Sequence, residues 1–151
     1  MAVLIDTNIL LRLVQPHHPH CAAVERAVSV LRTRNEALNV VAQNLIEFWT
    51  VATRPEGSLN GLGMTIDVAM RELAVLKRLF PMLPESQAVY EGWEHLVTTY
   101  RVSGKNSHDA RLVSAMKVHG IGKILTFNVQ DFNRYKDIEV MHPDSLHPVS
   151  E

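Results

Sequence analysis

Apolar residues come along this chain in two rhythms, short unbroken runs and longer stretches spaced three and four apart. Ala2-Val3-Leu4-Ile5 is an unbroken run rich in β-branched residues, the signature of a strand buried on both faces. It stops at Asp6-Thr7-Asn8, three residues that favour turns and helix caps. Leu10, Leu11, Leu13 and Val14 predict a short helix, closed by Pro16 and Pro19. From His20 to Thr33 the positions Val24, Ala27, Val28 and Leu31 keep helical spacing. Leu38 to Ala42 reads as a second strand. Asn44 is placed to cap the next helix, which carries Glu47, Phe48, Trp49 and Val51 and ends at Arg54-Pro55-Glu56-Gly57.

The clearest amphipathic helix spans Thr65 to Phe80, with Ile66, Ala69, Leu73, Leu76 and Phe80 on one face. A very short strand at Phe80 to Leu83 and a helix from Glu85 to Val102 follow. Ser107 is placed to cap a helix from His108 to about Val118, which Gly120 to Gly122 ends. Lys123 to Thr126 is a strand, Val129 to Tyr135 a helical turn, and Glu139 to Met141 a last strand. Strands alternating with helices predict βαβ units, hence a mainly parallel sheet between two helical layers. Ligands of such sheets sit beyond the carboxyl ends of the strands, so Asp6 should open onto the same edge as Asn128 and Asp131.

The 151 residues fit one domain, expected over 1–142 with a tail over 143–151. Hydrophobic residues at 46 % and charged residues at 21 % are ordinary for a globular protein. No apolar run approaches a membrane span, and the start of the chain lacks the basic region of a secretory signal. A single cysteine, Cys21, excludes an intrachain disulfide and fits a cytoplasmic protein. The formal net charge of −1 is not that of a strongly basic nucleic-acid binder. Any nucleic-acid contact therefore needs a local basic patch, bound metal, or both.

Three acids stand where chemistry is plausible, and each has a plainer reading. Asp6 ends a buried strand, where a carboxylate is costly unless solvated, bonded or metal-bound, yet Asp also makes a good helix cap. Glu47 lies in an apolar helix with no charged residue one turn away. Asp109 occupies the first turn of its helix, where the macrodipole alone favours an acid. Together, carboxylates from several strand–helix junctions would repel one another when bare and suit hard cations such as Mg²⁺ or Mn²⁺. Lys105, Arg111, Lys117 and Arg12 are candidates to flank such a cluster and hold a phosphate backbone, with solvation as the plainer role. The Pro16-His17-His18-Pro19-His20 segment lacks a matching Cys/His pair for structural zinc and reads as a loop.

Four stretches, taken in order, resemble the PIN-domain family: Val3-Leu4-Ile5-Asp6-Thr7-Asn8, Asn44-Leu45-Ile46-Glu47-Phe48-Trp49, His108-Asp109-Ala110-Arg111-Leu112, and Leu125-Thr126-Phe127-Asn128-Val129-Gln130-Asp131-Phe132. The likeness runs from residue 2 to about residue 142 and is nearest the stand-alone VapC-type toxins. It implies an α/β/α sandwich on a parallel sheet, Mg²⁺ or Mn²⁺, and endonucleolytic cleavage of RNA. By position it assigns Asp6, Glu47 and Asp109 as metal ligands and catalytic residues. Asn128 stands at a further catalytic position, where relatives carry Asp or Asn. Being neutral, Asn128 is the weaker ligand, and Asp131 three residues on is placed to contribute instead. Thr7 and Thr126 match hydroxyls that support the acids in relatives, and Arg111 and Lys105 stand where RNA could be touched. The resemblance further implies a cognate antitoxin and a homodimer. Two rival readings remain open. A haloacid-dehalogenase-type phosphatase would need a second Asp where Asn8 stands. A PIN fold that no longer cleaves would be an RNA- or protein-binding module.

Overall fold

In the computed structural model, which describes residues 1–149, five strands form one sheet. In chain order they are β1 (Ala2–Ile5), β2 (Ala37–Val41), β3 (Met82–Leu83), β4 (Lys123–Leu125) and β5 (Glu139–Met141). The order across the sheet is β3-β2-β1-β4-β5, and every neighbouring pair is parallel. The helices are α1 (Thr7–Leu13), α2 (Cys21–Thr33), α3 (Ala42–Thr53), α4 (Ile66–Leu79), α5 (Gln87–Thr99) and α6 (Asn106–Val118).

The run Val3-Leu4-Ile5 shows why the sheet needs cover on both faces. Alternate strand residues point to opposite sides. Val3 and Ile5 enter a core built with α1, α2, α3 and the Leu76–Phe80 end of α4. Leu4 enters a second core, with Val89 and Leu96 of α5 and Leu112, Val113 and Met116 of α6. All three strand residues are fully buried, and the result is the three-layer α/β/α sandwich expected from the pattern.

Strand order reverses direction at β1, whose chain leaves toward β2 on one side while β4 lies on the other. A crevice beyond the carboxyl ends of β1 and β4 follows from that topology.

Several local expectations change. Asn44 does not cap α3, which starts earlier at Ala42; instead its side-chain oxygen accepts from the Val41 backbone N–H at 2.9 Å, from inside the first turn. Ser107 likewise lies inside α6, its hydroxyl donating to the Gly104 carbonyl at 2.7 Å. Ile66 is 56 % exposed, because the inward face of α4 is carried by Ala69 and Leu76. Beyond β5 a 3-10 turn, Pro143–Ser145, leads to Leu146, which is buried in the first core. Of the tail expected over 143–151, residues 150 and 151 lie outside the described residues.

Candidate active site

Asp6 is held by both kinds of secondary structure at once. Its N–H donates to the Leu125 carbonyl at 3.1 Å, one step beyond the β1–β4 ladder, and its carbonyl accepts from Ile9 at 3.0 Å to start α1. Its side chain accepts from the Thr7 N–H at 2.7 Å, so the cap foreseen as the plainer reading is real. One oxygen suffices for that. The other, Oδ2, accepts from the Thr126 hydroxyl at 2.7 Å.

Thr126 is fully buried and saturated. Besides donating to Asp6, its oxygen accepts from Asn8 Nδ2 at 3.2 Å and from the Asn128 N–H at 3.0 Å. Asn8 also accepts from the Phe127 N–H at 3.3 Å. The turns after β1 and β4 are thereby stitched together, and Asp6 and Asn128 open onto the same edge, as topology predicted.

Glu47 reaches this edge from α3. Its Oε1 accepts from the Thr7 hydroxyl at 2.8 Å, while that hydroxyl accepts from Asn44 Nδ2 at 3.3 Å. Asn44 is completely buried, and its two polar ends fix the start of α3 and the Thr7–Glu47 contact together. Asp109 arrives from the first turn of α6. Gln43 links these two helices, donating to the His108 carbonyl at 2.8 Å and accepting from Arg111 at 3.1 Å. Sequence reasoning passed over Gln43 and Asn8; the available signal was amide side chains beside both predicted strand ends.

Asp6, Glu47, Asp109 and Asn128 line one cleft of about 540 Å³, together with Thr7 and His108. Burial is the main force on the acids. It lifts Asp6 to about 6 against the hydrogen bonds from Thr126 and Thr7, with the charges of Glu47 and Asp131 adding to the rise. It lifts Asp109 to about 7, helped by the charges of Asp6, Asp131 and Glu47 and opposed by Lys105. Asp131 lines an adjoining hollow with Asn128 and His142.

The basic candidates separate. Arg111 is committed within the protein, with Nη2 on Glu85 at 2.9 Å besides its bond to Gln43. Lys117 pairs with Asp137 at the opposite end of α6. Lys105 is exposed beside the first turn of α6.

Oxygen donors of this kind suit a hard divalent cation. Among the described residues no three His, Cys, Asp or Glu side chains are drawn into a ready-made cage.

Comparison with known proteins agrees with the fold. Comparison with curated proteins gives no match. Among solved structures, VapBC-1 from nontypeable Haemophilus influenzae superposes with a TM-score of 0.71 at 16 % identity, over 95 % of this chain and 99 % of that one. FitAcB from Neisseria gonorrhoeae gives 0.70 at 17 % identity, over 95 % and 99 %. VapC20 from Mycobacterium tuberculosis, described as a sarcin-ricin-loop-cleaving toxin, gives 0.57 at 18 % identity, over 81 % and 86 %. At such identities the likeness is one of fold. The sequence model of the PIN domain matches residues 3–138, nearly the whole chain, and the protein belongs to the PIN domain family.

Proposed function

We propose that the chain is a divalent-metal-dependent endoribonuclease that hydrolyses RNA phosphodiester bonds, acting in the cytoplasm as the toxin of a type II toxin–antitoxin pair. The observation that carries the reading is the meeting of Asp6, Glu47 and Asp109, from three separate elements, in one cleft at the switch point of the sheet. Two of the three, Asp6 and Asp109, are pushed toward the neutral form by burial and by neighbouring carboxylates. A cation relieves that repulsion.

Asp6, Glu47 and Asp109 hold the ion in this reading, Mg²⁺ or Mn²⁺, with Asn128 or Asp131 at the rim. When bound, it supplies a nucleophile at neutral pH and stabilises charge developing on the phosphoryl oxygens. The rest is the work of the chain. The Thr126 and Thr7 hydroxyls orient the carboxylates of Asp6 and Glu47, whose oxygens keep further lone pairs for the ion. The Gln43 bridge holds the helix of Glu47 against that of Asp109. Asn128, neutral and exposed at the mouth, offers an amide to substrate or ion.

The toxin assignment is supported by the neighbours, which include a toxin–antitoxin complex from Klebsiella pneumoniae and the toxin VapC20. On the same basis the partners are RNA, a cognate antitoxin and a second copy of the chain, with the exposed Ile66 and Met70 of α4 as the contact face of a homodimer. No helix among the described residues is long and apolar enough to cross a membrane.

The test is cleavage of a mixed RNA pool by the wild type with Mg²⁺ or Mn²⁺, by the wild type in EDTA, and by Asp6→Asn. Metal-dependent cleavage is expected, and both EDTA and the substitution should abolish it. A folded, metal-loaded wild type that leaves every RNA intact would instead favour the non-catalytic binding module, a reading consistent with the neutral Asn128.

A further inference from the structure

Beside the acidic cleft lies a second lobe of about 480 Å³, which shares Asn8, Arg54 and Asn128 with it. The two lobes have opposite character. The first holds three carboxylates; the second is lined by Arg12, Arg54 and His20 and, among the described residues, by no Asp or Glu.

Arg54 also borders the carboxylates of the first lobe, but the two arginines have no direct carboxylate partner among the described residues. Arg12 gives one N–H to Gln15 at 2.7 Å, while its Nε is buried with no partner at all. A buried donor left unmet costs about 1–3 kcal/mol, more when charged, so a partner supplied at this guanidinium would be stabilising. Arg54 gives one N–H to the Leu59 carbonyl at 2.9 Å. Each guanidinium carries five N–H groups, so both keep donors to offer.

The lobe is also built, not a chance hollow beside a loose loop. The segment after α3 is laced back onto that helix, Leu62 N–H to Val51 at 3.0 Å, Gly63 to Arg54 at 2.8 Å and Met64 to Ala52 at 2.9 Å. Gly61 packs so closely that a Cβ there would lie 2.4 Å from the Pro55 carbonyl. On the opposite wall the His20 ring stacks on Phe127, centroids 5.1 Å apart and planes 25° from parallel.

We propose that this lobe is a nucleotide subsite, in which Arg12 and Arg54 grip an RNA phosphate next to the scissile one while the adjoining nucleoside lies against the His20–Phe127 stack. The inference rests on the nuclease reading and adds to it where the strand runs. Guanidinium groups match phosphate in fork geometry, aromatic rings accept nucleosides of any sequence, and the Asn8 and Asn128 amides border both lobes. A chain of net charge −1 has little general attraction for RNA, so its grip has to be local. An acidic peptide would use the arginines but leave the aromatic wall without a role.

The test is binding of short, mixed-sequence single-stranded RNA to the Asp6→Asn protein in EDTA, read by fluorescence anisotropy across a salt series. Arg12→Gln and Arg54→Gln should each weaken binding about tenfold, and each should lower the salt slope by about 0.7. Lys77→Gln, on exposed α4, is the control and should change neither beyond its small general charge effect. In the cleaving protein the same variants should raise KM more than they lower kcat. If a Gln variant fails to fold, Arg→Lys replaces it, keeping charge but losing the fork, with an intermediate loss expected. Cleavage by the wild type with RNA binding indifferent to both arginines overturns the subsite and leaves the nuclease reading standing. Arginine-dependent binding without any cleavage does the reverse. Unchanged RNA binding with loss of a poly-glutamate peptide would assign the arginines to protein carboxylates and also overturn the proposal.

Discussion

Thr126 serves three groups with one oxygen atom. Its hydroxyl orients Asp6 while accepting from Asn8 and from the Asn128 backbone, and the whole residue is out of water. Thr126→Val keeps the shape and removes every one of these bonds. The Asp6 carboxylate left behind stays buried, at a cost of about 1–3 kcal/mol, while the Asn8 and Asn128 donors are more open to water. We expect a lower urea midpoint with an unchanged slope. Titration calorimetry with Mn²⁺ should show affinity reduced about 10- to 100-fold, the usual effect of losing a group that orients a ligand. An affinity equal to wild type would mean that Asp6 needs no such guide. The sequence made Asp6 visible because an acid ending an apolar run is costly. It did not reveal Thr126 by itself, since a Thr at a strand end is common; only the family likeness singled it out.

At the scale of elements, α5 and α6 meet more closely than sequence spacing could show. Gly92 sits inside α5, where Ala would be favoured by about 1 kcal/mol on helix propensity alone. A Cβ at that position, however, would lie 2.4 Å from Ser114 Oγ, and that hydroxyl is donating to the Val89 carbonyl at 2.6 Å. Gly92→Ala should therefore destabilise, since displacing a buried hydroxyl from its bond costs about 1–3 kcal/mol. Adding Ser114→Ala removes the obstacle together with the group to be satisfied, so the double variant should recover to near wild type or above. Denaturation of the wild type and the two variants decides it: a double variant no better than Gly92→Ala would place the strain elsewhere. Elements written in a strong apolar pattern, the unbroken run of β1 and the helical stripe of α4, were legible from the chain. Helix starts were not, because tertiary partners choose them. Asn44 looks like a cap, yet it serves better inside the first turn of α3, where its amide reaches both Val41 and Thr7. Ile66 keeps the helical phase of the apolar stripe, but the first turn of α4 turns Ala69 inward, and Ile66 stays exposed.

For the whole molecule, the acid cluster couples stability to pH in a direction opposite to that of ordinary ion-paired carboxylates. Asp6 stands at about 6 and Asp109 at about 7, both above the usual 3.8. Between these limits the folded chain holds protons that the unfolded chain has lost, so stability falls as pH rises. The contribution is fully present below about pH 4 and is lost as pH passes through 6 and 7. Asp6, nearly sealed from solvent, accounts for about 3 kcal/mol of it at 1.36 kcal/mol per unit. Asp109 acts in the same direction with a smaller weight, since it is partly solvated and water screens its charge. The metal-free protein should thus melt at a lower temperature at pH 8 than at pH 5. Asp6→Asn, which cannot ionise, should flatten that dependence and raise the melting temperature at pH 8, even though on the proposed nuclease reading it should abolish cleavage. Added Mg²⁺ should act most strongly at high pH, where it meets ionised ligands rather than competing with protons. Scanning calorimetry at the two pH values, with EDTA or Mg²⁺, tests all of this. The same pH slope in wild type and Asp6→Asn would show that the titrating groups lie outside the cleft. A Mg²⁺ effect equal at both pH values would show that the ion, if it binds, does so without displacing protons from these acids.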